Sequence, residues 1–190
     1  MNHEDHRVIT TKKFLKKALI SLLKENHLSK INIKKLCEAA EINRATFYSH
    51  YKDVSDLFNE IINEFMGEIT EFITTISDSK GQEERTKLFL NMIEYIDRYS
   101  DLFVLIFENS NSMDSANEQY RALSDKISAK ISDSFDRITY SSYVTEYLYH
   151  AGGSILYNWI KNNKKETYEE LSYIMLNIIM QGYSFVLKNR

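Results

Sequence analysis

A short segment, RATFYSHYK at residues 44–52, concentrates side chains that can donate hydrogen bonds or carry positive charge. Only Phe47 and Tyr51 offer large apolar surface there, and a helix of about eight residues is not stable unless other parts of the protein hold it. The segment is therefore either a solvated turn or a surface that lies against a polar partner. Its polar side chains are Arg44, Thr46, Tyr48, Ser49, His50 and Lys52.

Two helices joined by a short turn would position this segment. The stretch IKKLCEAA at residues 33–40 has one apolar face and follows Asn32, which is a residue type that caps helices. Three residues separate it from a second helix, which we predict over residues 44–51 with Asn43 as its cap. A helix, a turn of three residues and a second helix are the spacing of a helix-turn-helix unit.

Apolar residues are expected to hold this unit together. Ile42 is the predicted buried plug of the turn, Phe47 and Tyr51 anchor the second helix from below, and Cys37 is a small buried hydrophobe. An earlier helix, predicted over about residues 10–26, has a leucine stripe on one side and lysines on the other. The polar face of the second helix would then point outward.

Composition indicates an all-α protein. The 190 residues include no Pro and five Gly, which strands and tight turns would need, and no alternating strand pattern of useful length occurs. The single cysteine excludes an intramolecular disulfide. The polar start is unlike a signal peptide, and apolar runs such as residues 103–107 are far too short to span a bilayer. We expect a cytoplasmic protein.

Catalytic and metal-binding motifs are missing from the sequence. We find no nucleophile elbow, no glycine-rich phosphate loop and no HExxH motif. The five histidines have no metal-ligand spacing. We therefore expect no enzymatic activity, no cofactor and no metal site.

The charge is divided unevenly along the chain. Residues 1–52 hold 11 Lys and Arg against 5 Asp and Glu, whereas residues 53–190 hold 13 against 22. The balance is thus +6 in the first part and −9 in the second, within a net charge of −3. A basic N-terminal part on an acidic remainder predicts that the N-terminal part meets an anionic partner.

Residues 53–190 read as a larger helical domain. Long amphipathic patterns with bulky aromatic residues alternate with short polar stretches, and we predict about nine helices in the whole chain. The predicted domains are residues 1–52, a three-helix domain with the helix-turn-helix, and residues 53–190, a regulatory and dimerisation domain. Within the second, we predict a loop near residues 109–119, a helix reaching about Tyr140, and final helices near 141–162 and 167–188.

Several of these pieces together resemble one family. The N-terminal part of the chain resembles the DNA-binding domain of TetR-family transcriptional regulators. The matching pieces are the basic first helix, INIKKLCEAA, the run ATFYSHY and the start of a long fourth helix. The segment YHAGGSILYNWIKNNKKETYEEL is similar to the C-terminal part of a TetR subgroup that includes dihydroxyacetone-kinase regulators. The resemblance implies a sequence-specific DNA-binding regulator, a repressor that a small-molecule effector would release.

The resemblance also implies roles for individual residues. Arg44, Ala45 and Thr46 would meet base edges in the major groove of double-stranded DNA, with Arg44 forked onto guanine. Phosphate contacts would fix the register without reading sequence. The residues assigned to phosphates are Tyr48, His50, Lys52, Lys34, Lys35, Thr10, Thr11 and Arg7.

Two positions depart from the pattern of the family. Glu41 stands where the family has a turn glycine, so we expect a non-glycine residue with positive φ. Val54 stands where the family often has a phosphate-binding lysine. Both departures concern DNA affinity and not the fold, and Lys34 and Lys35 would compensate.

We predict a homodimer, since a palindromic operator needs two DNA-binding domains about one helical turn apart or a multiple of that. The last two helices are the expected interface because glycines interrupt them at a cost near 1 kcal/mol each, which close helix approach would offset. The alternative is that these glycines only make room for packing within the core of the monomer. The interface residues assigned are Gly152, Gly153, Leu156, Trp159, Ile178, Gly182 and Phe185.

An effector, if one exists, is expected among the helices between about Asp53 and Tyr140, and the sequence identifies no individual binding residue. Control by a partner protein, with no small-molecule ligand, is the alternative. Candidate cavity-lining residues, most of them expected to be core, are Phe58, Phe65, Met66, Phe72, Phe89, Met92, Tyr95, Phe103 and Phe107.

Overall fold

The computed structural model describes residues 3–109, 125 and 138–188. These residues contain eight α-helices and no strand, which confirms the all-α prediction. The predicted loop at 109–119 lies outside the described residues except for its first position, and so does most of the helix predicted to reach Tyr140. In chain order the helices are α1 (His3–Leu23), α2 (Ile33–Ala40), α3 (Arg44–Tyr48), α4 (Val54–Asp78), α5 (Gln82–Arg98), α6 (Ser100–Asn109), α7 (Ile138–Lys161) and α8 (Tyr168–Lys188), with a 3₁₀ turn at Leu28–Lys30.

The chain forms two compact units, Met1–Phe65 and Met66–Arg190. The N-terminal unit thus extends past residue 52 into α4, whose first turns carry Leu57 and Ile62 among the fully buried residues. None of the described helices is long and apolar enough to cross a membrane.

The N-terminal unit has a small aliphatic and aromatic core. In it, α1 packs on α2, and α2 packs on α3. The apolar stripe predicted for α1 is buried at Leu15, Ala18 and Leu19, but Leu22 is half-buried and Leu23 is buried in its place. Each buried leucine contributes roughly 1.5–3 kcal/mol. The fully buried side chains are Leu15, Leu19, Leu36, Phe47, Leu57 and Ile62.

The ends of two helices differ from the prediction. Helix α1 begins at His3, well before the predicted start near Thr10. The residues before Thr10 carry no apolar stripe, so the periodicity used for the prediction did not include them. Helix α3 ends at Tyr48 and not at residue 51. The hydroxyl of Ser49 donates to the Thr46 carbonyl at 2.7 Å, and such local bonds compete with helix propagation.

In the C-terminal unit, α5 packs along α8, and α7 contacts both α6 and α8. Helix α5 buries Phe89, Met92, Ile93 and Ile96. The start of α8 is tied to α5 because the hydroxyl of Tyr168, its first residue, donates to Asp97 Oδ2 at 2.6 Å.

Candidate nucleic-acid interface

The turn between α2 and α3 is built by two helix caps and one left-handed residue. Asn32 caps α2 by accepting from the Lys35 N–H at 2.9 Å, and Asn43 caps α3 by accepting from the Thr46 N–H at 2.8 Å. Between them, Glu41 adopts a left-handed conformation with φ 56°. These findings confirm both predicted caps and the positive φ.

Glu41 closes α2 in the manner usually supplied by glycine. The N–H of Ile42 donates to the Cys37 carbonyl at 3.0 Å, which is the six-to-one bond of a Schellman motif. Ile42 itself is half-buried, so the plug predicted for the turn is less enclosed than expected.

Beneath the turn, aromatic residues fix α3. Phe47 is fully buried and Tyr51 is 3% exposed, which confirms them as anchors. Cys37 is also buried; burial raises the pKa of its thiol, which keeps it protonated, as expected of a small buried hydrophobe. A five-residue helix is therefore held by tertiary contacts and by its cap.

The opposite side of α3 faces solvent. Arg44 and Ala45 are exposed, and Tyr48 keeps 58% of its surface accessible. Thr46 is half-buried, so the three residues assigned to base edges are not equally accessible. The ring of Tyr48 packs edge-on against Phe47 at a centroid distance of 5.7 Å.

The residues assigned to phosphates fall into different surroundings. Lys52 is exposed just beyond α3, and Lys34 is exposed with its Nζ 4.0 Å from Glu38. Lys35 is half-buried and donates to Asn26 Oδ1 at 2.7 Å, so part of its capacity is already used within the unit. His50 is half-buried in the turn after α3.

The three assigned residues before Lys12 lie inside α1 and not ahead of it. Arg7 is exposed, whereas Thr10 and Thr11 are half-buried. The Thr10 hydroxyl donates to the His6 carbonyl at 2.7 Å. Because that bond uses the hydroxyl proton, Thr10 would have to break it before it could donate to a phosphate.

One carboxylate that the sequence did not single out joins three segments of the N-terminal unit. Glu60 on α4 pairs with Lys12 Nζ at 3.0 Å and Lys16 Nζ at 2.7 Å, and it accepts from the Tyr51 hydroxyl at 3.2 Å. Lys16 also pairs with Glu64 at 2.6 Å. The lysines and the carboxylates share a four-residue spacing, which is the one signal that could have suggested the pairing.

The protonation states in this cluster favour the same contacts. Burial disfavours the charged form of Glu60, but hydrogen bonds from Lys16 and Lys12 outweigh it and lower the pKa of Glu60. Burial likewise opposes the charge of Lys16, yet its bonds to Glu60 and Glu64 raise the pKa of Lys16. Burial and then the charge of Glu60 raise the pKa of Tyr51, so its hydroxyl keeps its proton.

Three of the residues assigned to the dimer interface are packed within their own chain. Leu156 and Trp159 are each 4% exposed, and Trp159 Nε1 donates to the Glu166 carbonyl at 2.9 Å. A Cβ on Gly153 would lie 2.8 Å from a ring carbon of Phe107, so this glycine makes room within the monomer.

Among the assigned interface residues whose burial the structure describes, Ile178 is exposed, at 41%. It stands one turn after Ile174, which is 42% exposed, so the two form an apolar stripe on α8. Gly182 and Phe185 also belong to α8, but their side chains are outside the described residues.

A helix-turn-helix with a buried aromatic base and a polar outer face defines a class of DNA-binding regulators. Residues 83–181 match the family model TetR_C_8, described as the C-terminal region of a transcriptional regulator. The chain belongs to the TetR family of transcriptional regulators.

Two curated relatives and a solved structure are similar to this chain. The uncharacterized HTH-type transcriptional regulator YxbF of Bacillus subtilis (strain 168) is 34% identical over 74 residues, which are 38% of this chain and 20% of YxbF. The HTH-type dhaKLM operon transcriptional activator DhaS of Lactococcus lactis is 29% identical over 101 residues, 51% of each chain. The chain thus spans about a fifth and about half of these relatives.

The fatty acid degradation regulator FadR of Bacillus halodurans superposes with a TM-score of 0.70 at 13% identity, covering 90% of this chain and 95% of FadR. At that identity the likeness concerns the fold alone.

Proposed function

We propose that the protein is a homodimeric, sequence-specific DNA-binding regulator acting in the cytoplasm, and that α3 reads its operator. The observation that carries the proposal is the division of α3 into a buried side, Phe47, and an exposed side, Arg44, Ala45 and Tyr48. Such a helix is rigidly mounted and presents its N-terminal residues, as recognition helices do in the major groove.

The proposed contacts follow from residue chemistry and exposure. Arg44 forks onto guanine O6 and N7, and Ala45 and Thr46 meet neighbouring base edges. Tyr48, Lys52 and Lys34 bind phosphates, which positions α3 without reading sequence. Arg7, Thr10, Thr11, Lys35 and His50 complete the proposed set. Thr10 and Lys35 would first give up hydrogen bonds that they make within the unit.

Selection of genomic fragments with the purified protein tests this proposal and identifies the operator. The expected result is enrichment of short, two-fold symmetric sites, with an affinity that falls steeply as salt rises. Because log K falls by about 0.9 per neutralised phosphate for each tenfold rise in salt, Lys34 and Lys52 of both protomers, neutralising four phosphates, predict a slope of about −4. Recovery of random fragments with no shared site would contradict sequence-specific reading.

The exposed stripe on α8 supports a dimer. Ile174 and Ile178 are aliphatic, solvent-exposed in the single chain and one turn apart. Sedimentation equilibrium of Ile178→Glu is expected to show a shift toward monomer. Ile9→Glu is a matched control, because Ile9 is 56% exposed but lies in the N-terminal unit. A wild-type monomer at micromolar concentration would contradict the dimer.

We propose repression as the direction of control, since a dimer bound over a promoter excludes polymerase. Activation is the second candidate, because a relative that is 29% identical over about half of this chain is named an operon activator. A reporter driven by the selected operator, with and without the protein, separates the two. Reporter output falls under repression and rises under activation.

Release by a small-molecule effector would act through the C-terminal unit. Of the nine aromatic and methionine residues considered for a cavity, Phe72, Tyr95 and Phe107 are half-buried and the other six are buried in the core. A depression of about 170 Å³ between α5 and α8 is smaller than the 300–1,000 Å³ typical of drug-sized ligands. Thermal-shift screening of metabolites tests release by an effector. By linkage, an effector weakens DNA binding by the same factor by which DNA weakens binding of the effector. A screen in which nothing stabilises the protein would favour control by a partner protein.

A further inference from the structure

Glu60 stands at the junction of three segments that meet in the N-terminal unit. Its carboxylate contacts Lys12 and Lys16 of α1 and accepts from Tyr51, the residue three positions after the end of α3. Lys12 Nζ also lies 5.3 Å from the centroid of the Tyr51 ring, so Tyr51 is held from both its hydroxyl and its face.

The short α3 depends on such contacts. Five residues do not form a stable helix alone, so the direction of α3 is set by its cap at one end and by buried side chains at the other. Tyr51 is one of these, and it is 3% exposed. Its hydroxyl bonds to Glu60. A shift of Glu60 would therefore move the end of the recognition segment, which is residues 44–52, relative to α1 and α4.

Glu64 provides an internal comparison on the same helix. It stands one turn after Glu60 and pairs with Lys16 at 2.6 Å, and its side chain is 60% exposed compared with 28% for Glu60. The two carboxylates thus share a lysine and a local charge, whereas the bonds to Lys12 and Tyr51 belong to Glu60.

We propose that Glu60 is a positioning residue for DNA recognition, which orients the recognition segment by holding Tyr51 against α1 without itself contacting DNA. The inference rests on the proposed function, in which α3 reads base edges. Base readout needs side chains placed within hydrogen-bonding distance, whereas non-specific binding depends on cations and phosphates. Loss of Glu60 should therefore reduce affinity for the operator much more than affinity for unrelated DNA.

The test compares Glu60→Ala with Glu64→Ala, because alanine preserves helix propensity at both positions. Affinities are measured for the selected operator and for a scrambled duplex of equal length, at one salt concentration and at a temperature where every variant is folded. Glu60→Ala is expected to lose roughly three- to thirtyfold in affinity for the operator, a range typical of residues that influence a site without touching its ligand. Its affinity for the scrambled duplex should not fall, and Glu64→Ala should keep the operator preference.

Tyr51→Phe is the second variant, which deletes the hydroxyl alone and carries the test if Glu60→Ala does not fold. It should also lower the ratio of operator to scrambled affinity, and adding Glu60→Ala to it should cost less than Glu60→Ala costs in the wild type. A ratio unchanged in both variants, or lowered equally by Glu64→Ala, would overturn the inference while leaving the proposed function intact. Wild-type protein that prefers no duplex would overturn both.

Discussion

Gly153 on α7 lies so close to Phe107 on α6 that a Cβ would stand 2.8 Å from the ring carbon Cε2. The Phe107 ring cannot easily withdraw, because it is stacked between Phe103 at 5.9 Å and Tyr157 at 4.9 Å, measured between ring centroids. At the neighbouring Gly152 the nearest atom to a Cβ would be Met175 Cε at 3.8 Å, an ordinary contact. A side chain at Gly153 would therefore clash, whereas a side chain at the adjacent Gly152 would fit.

The first prediction contrasts these two glycines. Gly153→Ala should lower the free energy of unfolding by about 1–3 kcal/mol because it overpacks the contact with Phe107. Gly152→Ala should leave it unchanged or raise it by up to about 1 kcal/mol, because alanine favours the helix. Urea unfolding followed by circular dichroism measures both, and equal effects of the two substitutions would contradict the packing seen here.

The second prediction concerns base reading by Arg44. Arg44→Ala should weaken operator binding by about 1–3 kcal/mol per half-site and relax the preference at one base position. Tyr48→Phe should instead weaken binding to all sequences by about the same factor, because phosphate contacts carry no sequence information. Competition assays over a library of single-base operator variants distinguish the two. If Arg44→Ala leaves both affinity and preference unchanged, the assigned contact is incorrect.

The third prediction concerns the left-handed residue in the turn. Glu41→Gly should raise the free energy of unfolding by up to about 1 kcal/mol, because glycine has no Cβ to strain at φ 56°. Greater freedom of the unfolded chain offsets part of this gain. Glu41→Ala keeps the Cβ and should bring no such gain, so it serves as the control in urea unfolding. Greater stability of the alanine variant than of the glycine variant would refute the strain argument.

The fourth prediction is a pH dependence of stability through Glu60. Because the folded-state pKa of Glu60 is lowered from its ordinary value of 4.5, its contribution to stability is present above that pH and is lost as the pH falls below it. Glu60→Gln cannot ionise, so it should be less stable than wild type by on the order of 1 kcal/mol at pH 7. The difference should shrink as the pH falls below 4.5. Urea midpoints at a series of pH values measure it.

Glu64→Gln is the control for this experiment, since it leaves the bonds from Lys12 and Tyr51 to Glu60 in place. The pKa values of Lys16 and Tyr51 are raised from their ordinary values of 10.5 and 10.0. The contribution of each residue to stability is therefore complete below its ordinary pKa and declines as the pH rises beyond it. A difference between wild type and Glu60→Gln that is constant across pH would show that the Glu60 charge does not stabilise the fold.

The sequence alone determined the features that arise within three or four residues. The caps Asn32 and Asn43 bond to N–H groups three positions later. The left-handed conformation of Glu41 was expected from the resemblance to a family that has a turn glycine at this position. Helical periodicity identified most of the buried stripe of α1, and residue type identified Phe47 and Tyr51 as the anchors of α3. These interactions are local, so the residue types and their spacing are sufficient to predict them.

Only the tertiary structure decided which distant side chains meet. Lys12 and Glu60 are 48 positions apart, and their shared four-residue spacing with Lys16 and Glu64 does not say that α1 and α4 pack together. Trp159 has the residue type of an interface anchor, yet it is buried against its own chain with its N–H bonded to Glu166. The partners of a side chain across helices depend on the positions of whole helices, which packing sets and which no local pattern contains.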